Sequence, residues 1–190
     1  MATAELQPPG TGNIEPGHVA AQSPISGTVS WVWRDNRGND MKLNSEIDID
    51  APVDVVWAAF ENPDNTSRWM QNLESITTTS GEPGQPGAMT ELVFDENGRE
   101  VVLKQTVTER RAPDFLAVTF ETPSGSMLVV NHFEALDDQR TRWSSWCNFN
   151  FTGLMKFFAI FMRGSIRRRE EADRQRFKLM VESDLAEKNE

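Results

Sequence analysis

His132, Asp173, Arg169, Ser145 and Cys147 are the side chains whose types and placement can do chemistry in this chain. A histidine titrates near neutral pH, and a carboxylate such as Asp173 beside it would orient the ring and make it a general base. The same cluster around His132, Ser145, Arg169 and Asp173 would otherwise bind a carboxylate or an enolate oxygen. Plainer alternatives stand beside these. His132 can be a strand residue satisfied by a neighbour or exposed, and Arg169 with Asp173 can be an intrahelical pair at a cavity mouth. Cys147 and His132 would form a nucleophilic pair only on a shared face, and a lone buried cysteine usually serves as a small apolar residue. Metal binding finds no support, since the histidines are His18 and His132 and no Cys/His cluster occurs. The chain has no tyrosine, which removes a common proton donor for acid–base chemistry. Gly81 to Gly87 lacks the Lys-Ser/Thr of a phosphate loop, and no cofactor motif occurs elsewhere.

Whether these residues meet depends on two strands, 126–136 and 141–151, joined through Asp137-Asp138-Gln139-Arg140. Pairing Thr141 with Leu136 across that turn sets Trp143 opposite Glu134 and Ser145 opposite His132, with Cys147 near Val130 and Phe149 near Leu128. One face then carries Leu128, Val130, His132 and Glu134 with Trp143, Ser145, Cys147 and Phe149. The other carries Val129, Asn131 and Phe133 with Ser144, Trp146, Asn148 and Asn150. Both faces hold aromatics, so the pattern alone leaves the inward one open, and a slip of one residue reverses the choice.

The partner of these strands is the stretch Leu154 to Leu185, apolar at its start and charged from Arg163 to Lys178. At about 100° per residue, Met162, Ile166, Phe177 and Met180 fall in one arc of a long amphipathic helix. Arg163, Arg167, Glu171, Lys178 and Glu182 fall largely opposite, while Arg169 and Asp173 lie inside the apolar arc. A helix of this kind needs a concave apolar surface to receive its stripe, and the upstream strands are the candidate.

Those strands follow a clear order. Residues 1 to about 24 are rich in Pro and Gly with few large apolar groups, so they read as a flexible tail. Thr28 to Trp33 reads as a short strand, which makes residues 1–40 an extension ahead of a compact domain at 41–188. Lys42 to Asp50 alternates as a half-buried strand, and Pro52 opens a helix carrying Val53, Val56, Trp57 and Phe60. Asn62-Pro63-Asp64 stops it, and Asp64 or Asn65 caps a second short helix to about Gln71. Strands are expected near 75–79, 88–94, 99–109 and 115–121 ahead of the two already described, with an Asn97-Gly98 hairpin turn among them. Hairpin-linked neighbours make an antiparallel meander closed by the long helix.

Bulk properties narrow the function classes. The 190 residues suit one domain, and 38% hydrophobic with 25% charged residues is ordinary for a soluble globular protein. A net charge of -10 argues against nucleic acid as a partner. The single cysteine excludes an internal disulfide and, with no secretory signal, fits a cytoplasmic location. The apolar run 149–162 is 14 residues, short of the roughly 20 a transmembrane helix needs. Phe157, Phe158 and Phe161 ahead of Arg163 leave weak contact with a membrane surface open. The oligomeric state is not readable.

The order of one strand, two short helices, six strands and a long C-terminal helix resembles the START/SRPBCC helix-grip superfamily. Ile49-Asp50-Ala51-Pro52, Val56-Trp57, Asn62-Pro63-Asp64, Arg68-Trp69, Phe133-Glu134 and Thr141-Arg142-Trp143 carry the likeness, most of all to the polyketide cyclase/dehydratase-like branch. The resemblance implies an α+β fold, a seven-stranded antiparallel sheet curved around the C-terminal helix, and a cavity for a small apolar or amphipathic ligand. It also turns the Trp143 face inward, giving an expected lining of Leu128, Val130, His132, Trp143, Ser145 and Cys147 with Met162, Ile166, Arg169 and Asp173. The leading expectation is ligand binding in that cavity. The alternative is a cyclase/dehydratase-like enzyme using His132 and Asp173.

Overall fold

A computed structural model describes residues 41–153 and 155–188, without the side chains of 155–161. The extension with its expected strand near 28–33, and the Phe157, Phe158 and Phe161 side chains, lie outside the described residues.

Strand β1 (Met41–Ile49) shows the alternation its sequence carries, every odd residue buried and every even one half-buried. Helix α1 (Val53–Glu61) follows Pro52, and α2 (Pro63–Trp69) follows at once. The cap of α2 is Asn62, whose side chain accepts from the Asp64 N–H at 3.0 Å, not the expected Asp64 or Asn65. Asn62 wins because Pro63 is held at the first helical position, where its missing N–H costs nothing. The meander then runs β2 (Leu73–Ser80), β3 (Met89–Asp95), β4 (Glu100–Arg111), β5 (Phe115–Thr122), β6 (Gly125–Asp137) and β7 (Arg140–Phe151), before α3 (Met155–Lys188). The seven strands among the described residues form one antiparallel sheet in the order β1-β7-β6-β5-β4-β3-β2. The β3–β4 turn takes positive φ at Asn97 and Gly98, and Gly98 N–H donates to the Asp95 carboxylate.

The β6–β7 register corrects the expected one. Thr141 pairs with Ala135 rather than Leu136, because a bulge at Leu136 takes up one residue before Asp137 pairs with Arg140. Asp137 fixes this turn by accepting from Gln139 N–H at 2.9 Å and Arg140 Nε at 2.8 Å. Trp143 therefore faces Phe133, Ser145 faces Asn131, and Cys147 faces Val129.

Helix α3 closes the concave face and is tied at several points. Lys178 Nζ donates to the Asp48 carbonyl at 2.6 Å, and the Glu182 carboxylate accepts from Asp50 N–H at 2.8 Å. These two residues, expected to face solvent, thus anchor the helix to the end of β1. Arg68 of α2 makes two contacts of 2.6 Å to Asp184. On the other side Arg169 pairs with Glu96 in the β3–β4 turn, so α3 spans from the β1 edge to that hairpin. Between these ties Phe177, Met180 and Val181 pack with Ile47, Val56, Trp57, Trp69, Phe133 and Trp143 into one core cluster. A second cluster, with Leu92, Phe94, Val107, Val118 and Phe120, lines the sheet farther from α1.

Candidate functional site

Between the sheet and α3 lies a cavity of about 1670 Å³. Its wall is the inward residue set of successive strands: Leu92 and Phe94 of β3, Leu103, Gln105 and Val107 of β4, Leu116, Val118 and Phe120 of β5. Met127, Val129 and Asn131 of β6, Trp143, Ser145, Phe149 and Phe151 of β7, and Ile76 and Thr78 of β2 also line it. Period-two alternation explains why most of these strands contribute every second residue, while the start of β4 adds the successive residues Glu100 to Leu103 at the rim. Helix α3 adds Met162, Ser165, Ile166, Arg169, Glu170, Asp173 and Arg174, which recur every three or four residues on one side.

The one-residue slip sorts the expected ligand set. Trp143, Ser145, Met162, Ile166, Arg169 and Asp173 line the cavity. Leu128, Val130 and His132 do not; they fall with Ser144, Trp146 and Asn148 on the opposite face of the sheet, and His132 is exposed there. A His132–Asp173 base pair and a Cys147–His132 nucleophile pair are therefore not formed, because each has its members on opposite faces. Val129, Asn131 and Met127 take the places expected for Leu128, Val130 and His132.

Cys147 shares the inward face of β7 but is buried behind the lining, with its Sγ 3.9 Å from Ser145 Oγ. Burial pushes its thiol up to about 12, aided by the Glu170 carboxylate and opposed by the Arg174 charge. The thiolate fraction at about pH 8 is then about one in ten thousand, so the group is inert as a nucleophile. Native protein should resist iodoacetamide at that pH and alkylate fully in denaturing guanidinium, as read by mass spectrometry. Prompt alkylation of the native form would mean that this wall opens.

Asp173 and Arg169 are not simply each other's partners. Their closest polar atoms lie 3.9 Å apart. Asp173 instead accepts from Gln71 N–H at 3.1 Å and from Arg176 at 2.8 Å, while Arg169 donates to the Gln71 carbonyl at 2.7 Å and pairs with Glu96. Together they clamp the α2–β2 link onto α3 at the cavity rim. Burial raises the Asp173 carboxyl above its ordinary range, against the Gln71 hydrogen bond that lowers it.

The residue that sequence reasoning passed over is Arg174. Its guanidinium is 2% exposed, lies 4.0 Å from the centre of the Trp143 ring, and lines the cavity. Trp143 is itself oriented, donating its indole N–H to Asn131 Oδ1 at 3.0 Å. The available signal was spacing: Arg174 sits three residues before Phe177 and seven before Val181, on the stripe that packs inward. Chemically the site offers a fixed cation and an aromatic plate at one end of an apolar chamber. Among the described residues, no three His, Cys, Asp or Glu side chains converge as a metal site would require. Also among them, no helix is long and apolar enough to cross a membrane.

A family model described as polyketide cyclase/dehydrase and lipid transport matches residues 40–178. No curated protein matches the sequence. Among solved structures, the ZhuI aromatase/cyclase from Streptomyces sp. R1128 superposes with a TM-score of 0.66 at 17% identity, over 77% of this chain and 96% of that one. A Rhodobacter sphaeroides protein gives 0.64 at 15% identity, over 82% of this chain and 99% of that one. Ara h 8.0201 gives 0.62 at 13%, over 76% and 99%. At such identities the likeness is one of fold.

Proposed function

Because the chain belongs to the polyketide cyclase/dehydrase and lipid transport family, with the helix-grip fold of the SRPBCC type, we propose that it binds a small apolar or amphipathic molecule between its sheet and α3. The observation that carries this reading is the chamber of about 1670 Å³ walled by aliphatic and aromatic side chains from six strands. Apolar surface facing a chamber of this size is unsatisfied by protein packing, and an apolar guest removes it from water at about 25 cal/mol per Å². Polar groups from α3, Asn131, Ser145 and Gln105 share the lining with these apolar side chains, which suits an amphipathic guest.

Blocking the chamber tests this directly. Val129 lines its middle, opposite Val118 on one side and Cys147 on the other. In Val129→Trp the larger ring projects into open space, so the fold is kept while the guest's volume is taken. Wild-type protein should bind the neutral fluorescent probe N-phenyl-1-naphthylamine, and Val129→Trp should weaken that binding by about tenfold or more. Equal binding by a folded Val129→Trp, judged by an unchanged circular dichroism spectrum, would place the probe elsewhere and remove the reading.

A further inference from the structure

Arg174 differs from the arginines around it in what its guanidinium meets. At the cavity rim Arg169 holds Glu96 and the Gln71 carbonyl, and Arg110 holds Glu61 through two hydrogen bonds. Arg174 is 2% exposed, yet among the described residues its Nε and Nη1 have no acceptor, and its Nη2 only approaches Glu170 Oε2 at 3.9 Å. The nearby carboxylate of Asp173 is committed to Gln71 and Arg176. The Trp69 indole N–H, on a second buried ring lining the same cavity, also lacks an acceptor among the described residues. A buried cation with open donors is unfavourable until an anion meets it, and the cavity that Arg174 lines is a space from which one can come.

On the reading that this cavity binds an amphipathic guest, we infer that the guest carries a carboxylate, which Arg174 receives against the face of Trp143. A planar guanidinium matches the two oxygens of a carboxylate, and the buried setting strengthens the contact. The Glu170 and Asp173 carboxylates on the same side of α3 oppose a dianion, which favours a singly charged head over a phosphate monoester. From Trp143 the apolar body of the ligand extends past Val129 and Val118 toward Phe120. The ligand class is therefore an apolar monocarboxylic acid, its body either an aliphatic chain or fused rings.

Calorimetric titration of the full chain with dodecanoate, dodecanol, 2-naphthoate and 2-naphthamide tests this. Wild-type protein should bind at least one carboxylate roughly ten- to a hundredfold tighter than its neutral counterpart. Arg174→Met should bring that ratio to about one, and Arg174→Lys should keep part of it. The comparison within wild type stands even if a variant misfolds. Neutral and charged forms binding wild type equally would overturn the assignment while leaving the cavity reading intact. A ratio unchanged in a folded Arg174→Met would also overturn it. Failure of all four to bind would count against the cavity reading itself and take this inference with it.

Discussion

Phe177→Ala should cost about 3–5 kcal/mol of unfolding free energy and lower the melting temperature by on the order of 10 °C. Phe177 is 0% exposed, and its ring lies 5.1 Å from Trp143, 5.4 Å from Trp69 and 5.8 Å from Phe60, centre to centre. Those three rings come from β7, α2 and α1, so one side chain joins α3 to three other elements. Truncation removes the apolar area and leaves a void that the flanking rings are poorly placed to fill. Trp143 is tethered to Asn131 and stacked on Phe133, with ring centres 5.8 Å apart, and Phe60 is itself held against Trp69 and Phe133. The cavity term therefore adds to the transfer term. Urea unfolding would show the midpoint fall with the slope unchanged. A loss below about 1 kcal/mol would mean that the cluster collapses freely and that α3 is held mainly by its polar ties.

Those polar ties were the part of the helix the sequence concealed. Spacing identifies Phe177 and Met180 as inward residues, because apolar groups three or four apart mark a buried stripe whatever receives them. Spacing also put Lys178 and Glu182 on the solvent side. It cannot see that the end of β1 curls around that side to supply the Asp48 carbonyl and the Asp50 N–H. The strands were legible for a similar reason. Alternation in Leu43, Ser45, Ile47 and Ile49 is a local pattern, and the Asn97-Gly98 turn needs positive φ at both residues. Register is where the reading failed. Nothing local in Glu134-Ala135-Leu136-Asp137 announces that Leu136 is bulged out, yet that one residue exchanges the inward and outward sets of β6. His132 left the cavity and Asn131 entered it on that account alone. The family resemblance had turned the Trp143 face inward, and the structure has Trp143 lining the cavity, but no resemblance fixes the register of a strand across a bulge. Arg174 was hidden differently. In a run of charges from Arg163 to Lys178, an arginine looks solvated, and only its burial against Trp143 sets it apart.

Arg174→Met, one helical turn from Phe177, should move stability the other way. In the ligand-free protein it should raise the unfolding free energy by about 1–3 kcal/mol. Two effects compete at this position. The guanidinium gains from the Trp143 face, worth about 2 kcal/mol when desolvated. Against this stands the loss of hydration of a buried charge, several kcal/mol per ion, with only a 3.9 Å approach from Glu170 in return among the described residues. Desolvation wins, as the lowering of the Arg174 pKa by burial also indicates. Methionine keeps the apolar stem, covers Trp143 and strands no carboxylate in a tight pair, because Glu170 is partly exposed. Saturating dodecanoate should close or invert the gap. Wild type gains about 2.7 kcal/mol at a hundredfold excess over Kd, a gain the variant largely lacks. Melting both proteins with and without dodecanoate reads all four states in one experiment. A ligand-free Arg174→Met that melts lower than wild type would make the arginine a structural partner of Trp143. A higher melting point together with loss of the dodecanoate shift would mean that Arg174 is held at a cost to stability that its ligand offsets.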